Sequence, residues 1–155
     1  MTKIASVHGR RVWDSRGRLT VEAEVRLSDG TIGRSIAPAG ASMGSGEAAD
    51  LRDGGTTFEG LDVRRAVANV DTHIAGALCG LDAADQATID RVLIALDGTK
   101  QKSRLGGNAI IAVSMAVLHA AAAATHTPLY AHLAQGRRTR IPLPEIQIFG
   151  GGAHA

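Results

Sequence analysis

Val21-Glu22-Ala23-Glu24-Val25-Arg26-Leu27 alternates apolar and charged side chains without a break. A repeat of two places successive side chains on opposite faces of a strand, so this stretch predicts one face in a core and one in water. Asp29-Gly30 follows at once, and Asp-Gly between alternating runs is the strongest short hairpin signal. Thr31 to Ile36 then reads as the return strand, with Ile32 and Ile36 on one face. Ile4 to Trp13 supplies an earlier strand that ends in the turn-rich Asp14-Ser15-Arg16-Gly17. The three segments predict a three-stranded antiparallel meander.

Beyond residue 60 the period changes. Val63, Val67, Val70, Ile74 and Leu78 recur at helical spacing, and Gly80 is a suitable stop. Asp82 reads as the N-cap of a second helix whose buried stripe is Ile89, Val92, Leu93 and Leu96, ending at Asp97-Gly98. A third helix starts near Asn108, and Pro128 breaks the chain before a short turn of helix, Leu129 to Ala134. A meander followed by a helical cluster is an α+β fold. The run from Asn108 to Ala124 is apolar enough to invite a membrane reading, but alanine dominates its end and polar residues follow closely. A helix buried in a soluble core is the expectation, with no membrane span. Ile141-Pro142-Leu143-Pro144 leads into Glu145 to Phe149 and then three glycines, which reads as a strand entering a glycine-rich loop and as the start of a larger domain cut short.

Composition narrows the function. The 155 residues are 45% hydrophobic but only 3% aromatic, so a core must be built from Ala, Val, Ile and Leu at close approach. A net charge of +2 is too weak a bias to argue for nucleic acid. Cys79 is the only cysteine, which rules out an intrachain disulfide and a thiolate metal cluster; placed after apolar Ala75 to Leu78, it reads as buried filler. Met1 to Arg16 has no apolar core of a secretory signal, and a cytoplasmic setting is expected.

Between the last strand and the helices lies Ala37-Pro38-Ala39-Gly40-Ala41-Ser42-Met43-Gly44-Ser45-Gly46, all small residues apart from Pro and Met. Such loops serve as linkers or as ligand clamps. The hydroxyl of Ser42 is a hard oxygen suited to Mg²⁺, and glycines at 40, 44 and 46 let backbone amides approach an anion. His154, after three glycines, is a residue type that swings onto phosphates or moves protons. Arg10, Arg16, Glu22, Arg52 and Asp53 are candidates for ion pairs, and Glu22 and Glu24, on one strand face, call for an arginine opposite. No group of three carboxylates, no lysine in an apolar setting and no nucleophile–base pair is evident. On its own residues the chain holds binding elements rather than a whole catalyst.

Several motifs, in order along essentially the whole chain, resemble those of the enolase family. Asp14-Ser15-Arg16-Gly17 with Thr20-Val21-Glu22 resembles the opening DSRG-x-x-TVE; Pro38, Gly40-Ala41-Ser42 and Gly44 resemble PSGASTG, the family's catalytic lid. Leu51-Arg52-Asp53-Gly54, Leu96-Asp97-Gly98-Thr99, Lys102-Ser103-Arg104-Leu105-Gly106, Pro128-Leu129-Tyr130 and Gly151-Gly152-Ala153-His154-Ala155 continue the match. The resemblance implies an amino-terminal capping domain, here residues 1–138, followed by the beginning of an α/β barrel at 139–155. It implies a homodimer or higher homo-oligomer, and reversible dehydration of 2-phosphoglycerate, a small phosphorylated carboxylate, with Mg²⁺ as cofactor. Ser42 then matches the lid serine that ligates a Mg²⁺; His154 and Ala41 match substrate-binding positions; Gly40, Ala41, Ser42, Met43 and Gly44 form the lid; Arg10 and Glu22 match dimer-interface ion pairs. The lysine base, the acid and the main metal carboxylates are expected beyond Ala155, which leaves this stretch alone inactive. Departures at Met43, Gln147 and Gly150 leave open an enolase-like paralogue acting on a related phospho- or phosphonocarboxylate. A non-catalytic stand-alone capping domain engaged in protein interaction is the second alternative.

Overall fold

The computed structural model describes residues 2–40, 44–146 and 148. Strands β1 (Ile4–Trp13), β2 (Leu19–Leu27) and β3 (Ile32–Ala37) form one antiparallel sheet in the order β1-β2-β3. The meander read from the alternation is therefore present. The hairpin between β2 and β3 closes through Leu27 N–H to Thr31 O (2.8 Å), while the Asp29 carboxylate accepts from Thr31 N–H (2.8 Å). Gly30 takes φ +88°, a backbone conformation that glycine adopts at no steric cost.

Val21, Ala23, Val25 and Leu27 of β2 are buried on one face, and helix α4 (Gly107–Ala124) lies against them through Ala109, Ala112, Val113, Ala116, Val117 and Ala120. Alanines on the facing stripe let helix and sheet backbones approach closely, which is how a core poor in aromatics is filled. α4, interrupted only by Asn108, Ser114 and His119 as polar residues, is long and apolar enough to cross a membrane by length and composition, and 61% of it is buried within this fold. α3 (Gln86–Asp97) packs on α4 through Ile89 and Leu93. The first helical stretch is not one regular helix: α1 (Arg64–Asn69) passes through a π-turn, Val70–Ile74, into α2 (Ala75–Leu78). The wider turn still buries Val63, Val70, Ile74 and Leu78, and its Asp71 carboxylate accepts from Gly9 N–H of β1 (2.7 Å). α5 (Leu129–Ala134) follows Pro128.

Two expectations need correction. The N-cap of α3 is Asp85, whose carboxylate accepts from Thr88 N–H (3.0 Å); Asp82 instead accepts from the Thr2 hydroxyl and from Ala84 N–H, in a bridge that ties the amino terminus to this loop. Cys79 is exposed rather than buried, because the helix ends at Leu78 and the extended Cys79 backbone turns the thiol outward, toward Ala5 O at 3.6 Å. Of the strand expected over Glu145 to Phe149, Gln147 and Phe149 lie outside the described residues; 141–146 and Ile148 carry no regular structure, and Ile141, Leu143, Ile146 and Ile148 are exposed.

The solvent face of the sheet carries a charge ladder. Opposed positions Arg10 and Glu22, and Glu24 and Arg34, follow from the register. Arg10 donates to Glu22 (2.5 Å) and to Glu24 (2.6 Å), and Arg34 donates to the same Glu24 oxygen (2.7 Å). Hydrogen bonds from Arg10 and then Arg34 outweigh burial and hold the Glu24 carboxyl down at about 2, against an ordinary 4.5. A depressed carboxyl stabilises the fold above its ordinary value, and that contribution is lost as pH falls from about 4.5 toward 2. Because both arginines are largely exposed, salt screens the interaction, and Glu24→Gln is expected to cost only about 1 kcal/mol at neutral pH. Urea unfolding at pH 7 and pH 3 should show a smaller gap between variant and parent at the lower pH; an unchanged gap would refute the assignment.

Candidate functional site: the framework of the 40–44 loop

Ala41, Ser42 and Met43 lie outside the described residues, as does His154. What is visible is how the loop is held at both ends. On the incoming side, β3 ends at Ala37, whose carbonyl accepts from the buried Thr20 hydroxyl. Two residues on, Ala39 O accepts from Arg16 Nη1 (3.1 Å). Arg16 reaches it from a turn that Asp14 organises: the Asp14 carboxylate accepts from Arg16 N–H (2.9 Å) and Arg18 N–H (2.8 Å), and Gly17 takes φ +70°. The bond from Arg18 N–H is the main reason that the Asp14 carboxyl titrates below its usual range.

On the outgoing side, Glu47 N–H bonds Gly44 O (3.1 Å) and Gln101 Nε2 donates to Ser45 O (3.3 Å). Ala49 is held twice, by its N–H on Gln101 O and its carbonyl on Gly107 N–H, both 2.7 Å. Asn108 clamps Leu51 through both backbone groups, accepting from its N–H (3.1 Å) and donating to its carbonyl (3.2 Å). The segment therefore lies along the start of α4, and a Cβ on Gly107 would sit 2.8 Å from the Ala48 Cβ. Next in line, Arg52 pairs with Asp50 (3.0 Å) and donates to the carbonyls of Leu19 (2.5 Å) and Leu61 (2.9 Å). A concavity of about 420 Å³ opens between the two anchors, with Ile36, Pro38, Ala48, Ile111 and Met115 in its wall.

The structure brings Gly40 and Gly44 to the ends of this framework and joins Arg10 to Glu22 within one chain. Arg52 pairs with Asp50 rather than with Asp53, whose carboxylate instead caps α1 by accepting from Arg64 N–H (2.9 Å) and Arg65 N–H (3.0 Å). Among the described residues, no group of three or more His, Cys, Asp or Glu could hold a metal ion. Reading the sequence residue by residue missed Gln101 and Asn108. The signal for Asn108 was its place after two glycines at a helix start, where a side-chain amide can satisfy a neighbouring strand.

The comparisons with known proteins agree on one family. The family model described as "Enolase, N-terminal domain" matches residues 4–133. A protein named "Enolase" from Methanopyrus kandleri is 52% identical over 155 residues, which is all of this chain and 36% of that protein. "Enolase 1" from Lactococcus lactis subsp. cremoris is 51% identical over 152 residues, covering 98% of this chain and again 36% of the relative. The chain thus spans about a third of the length of these relatives. Identity of this order along the whole chain, on a meander-and-helix fold that agrees with it, places the chain in the enolase family, whose amino-terminal domain it carries.

Proposed function

We propose that this chain is the capping part of an enolase that interconverts 2-phosphoglycerate and phosphoenolpyruvate, with a Mg²⁺-dependent barrel following it. The observation that carries the reading is the two-ended anchoring of the 40–44 segment, joined to 52% identity with a protein named enolase. A short loop of small residues fixed at both ends suits a cover that closes over a substrate and excludes water. In this reading Gly40, Ala41, Ser42, Met43 and Gly44 are the cover, Ala41 and His154 touch the substrate, and Ser42 offers its hydroxyl to the ion. The described residues do not by themselves make a Mg²⁺ site, so no step is derived through the ion. Arg10 and Glu22 would face the second subunit of a homodimer, and the setting would be cytoplasmic.

Residues 1–155 alone are expected to show no hydratase activity, whereas the longer protein should produce phosphoenolpyruvate from 2-phosphoglycerate and lose that activity to a chelator. Intact mass comes first. A mass of 16.0 kDa would leave only the capping fold and favour the stand-alone interaction domain. A longer protein that ignores 2-phosphoglycerate but turns over a phosphonocarboxylate would favour the paralogue, and turnover by the 155-residue chain free of host enzyme would overturn the division of labour.

A further inference from the structure

The outgoing side of the 40–44 segment is held unequally along its length. Deep in the fold the grip is firm: Asn108, 2% exposed, clamps both backbone groups of Leu51, and Ala49 is joined to Gln101 O and Gly107 N–H at 2.7 Å. Nearer the loop it thins out. Gly44, Ser45, Gly46 and Glu47 are exposed, and the bond from Glu47 N–H to Gly44 O is internal to their turn. Among the described residues, the one hydrogen bond that ties this turn to another part of the chain runs from Gln101 Nε2 to Ser45 O (3.3 Å). Ser45 stands between two glycines, and a Cβ added at Gly46 would meet nothing within 4 Å, so packing does not hold Gly46 in place.

Gln101 works from a rigid base. The buried Asp97 carboxylate accepts from the Thr99 N–H and hydroxyl and from Leu105 N–H. The Lys102 ammonium donates to Thr99 O (2.8 Å), and Arg104 Nε donates to Asp97 O (2.9 Å). A loop tied at so many points can fix whatever its side chains touch. Gln101 touches both flanks of Gly46: its backbone carbonyl accepts from Ala49 N–H, and its side-chain amide donates to Ser45 O.

We propose that Gln101 is a positioning residue for the 40–44 cover, acting as a latch through its side-chain amide. The proposal rests on the reading that this segment closes over a substrate. It deepens that reading by naming the group that sets the shape of the outgoing hinge before closure. With the latch made, the hinge is ordered in advance. Without it more conformers must be given up on closing, and fewer molecules are ready to close. One neutral, exposed hydrogen bond is worth a factor of about three to five in that readiness. Substrate already under the closed cover holds it shut, so the loss falls on KM rather than on kcat.

The test is Gln101→Met and Gln101→Glu in the longer protein. Both side chains are close to glutamine in length and lack the donor, and the backbone carbonyl that holds Ala49 is untouched. Because Gln101 is exposed, the melting temperature should move by no more than about 2 °C. A glutamate-specific protease, with no substrate present, should cut after Glu47 about three to five times faster in both variants, the site being identified by fragment mass. KM for 2-phosphoglycerate should rise by about the same factor, with kcat within about twofold of the parent. Parental cleavage with parental KM would overturn the proposal, as would a fall in kcat at constant KM. A melting temperature lowered by more than about 5 °C would also overturn it, since Gln101 would then hold the fold rather than the hinge. A longer protein that is cut faster after Glu47 but never turns over 2-phosphoglycerate would sink the functional reading and leave the latch standing.

Discussion

Gly33→Ala is expected to destabilise the domain by about 3 kcal/mol or more, and so to lower its melting temperature by roughly 10 °C. The position lies in β3 at the closest approach between sheet and α4. A Cβ there would sit 2.2 Å from the carbonyl oxygen of Ala116, 2.3 Å from Ala120 N and 2.8 Å from Ala120 Cα. All three are backbone atoms in the middle of a helix, so no side chain can swing aside. Relief requires α4 to move off the sheet, which would open the contact with Ala23, Val25 and Ala37 together. The comparison is Gly46→Ala, where an added Cβ would meet nothing within 4 Å and a change below about 0.5 kcal/mol is expected. Thermal melting of the two variants beside the parent checks the argument. A Gly33→Ala protein as stable as Gly46→Ala would mean that helix and sheet are not this close.

That contact also marks where sequence reading stopped. Alternation in Val21 to Leu27 and the Asp29-Gly30 turn were enough for the meander, because a strand with one wet face can take only one register without turning its apolar side to water. The helical stripes at Val63 to Leu78 and Ile89 to Leu96 were legible for the same reason. Gly33 was not, since a glycine in a strand looks the same whether it marks a bulge or a close helix. Asp82 and Asp85 are both fit to cap, and only the Thr88 N–H that points at Asp85 decides between them. Cys79 inherited an apolar context from a helix that ends one residue earlier. Glu22 and Glu24 called for an arginine, but that Arg10 would bridge both depends on side-chain reach across the strands. At the candidate site, composition marked the loop as a possible clamp and nothing more. The roles of Ser42 and His154 came from the family resemblance and fall outside the described residues. The anchors, Asn108 and Gln101 above all, bind backbone groups far away in sequence, and such pairings leave no local pattern.

Asp97→Asn should be nearly as damaging, at about 2–3 kcal/mol, although it changes the side chain by a single group. Asp97 is 2% exposed at the end of α3, and its carboxylate holds the loop that leads into α4. One oxygen accepts from Thr99 N–H (3.0 Å) and from the Thr99 hydroxyl; the other accepts from Leu105 N–H (2.7 Å). Burial by itself would push this carboxyl up. The N–H of Leu105, then the hydroxyl and N–H of Thr99, with the charge of Lys102 beyond them, outweigh it and keep the group below its usual range. An asparagine can serve the Thr99 side, but its amide would then turn N–H against the Leu105 N–H, leaving two buried donors facing each other. The consequence reaches the candidate site, because the same loop carries Gln101, which holds Ser45 and Ala49. The sign of the pH effect follows from the lowered pKa. The stabilisation is complete above about pH 4 and fades as acid protonates the native carboxyl below that, so the parent should converge on the variant in strong acid. Urea unfolding at pH 7 and pH 3 would display this, and hydrogen exchange at Ala49 and Leu105 should be faster in Asp97→Asn at pH 7. A variant with parental stability and parental exchange at those two amides would show that the loop is held by something other than this carboxylate.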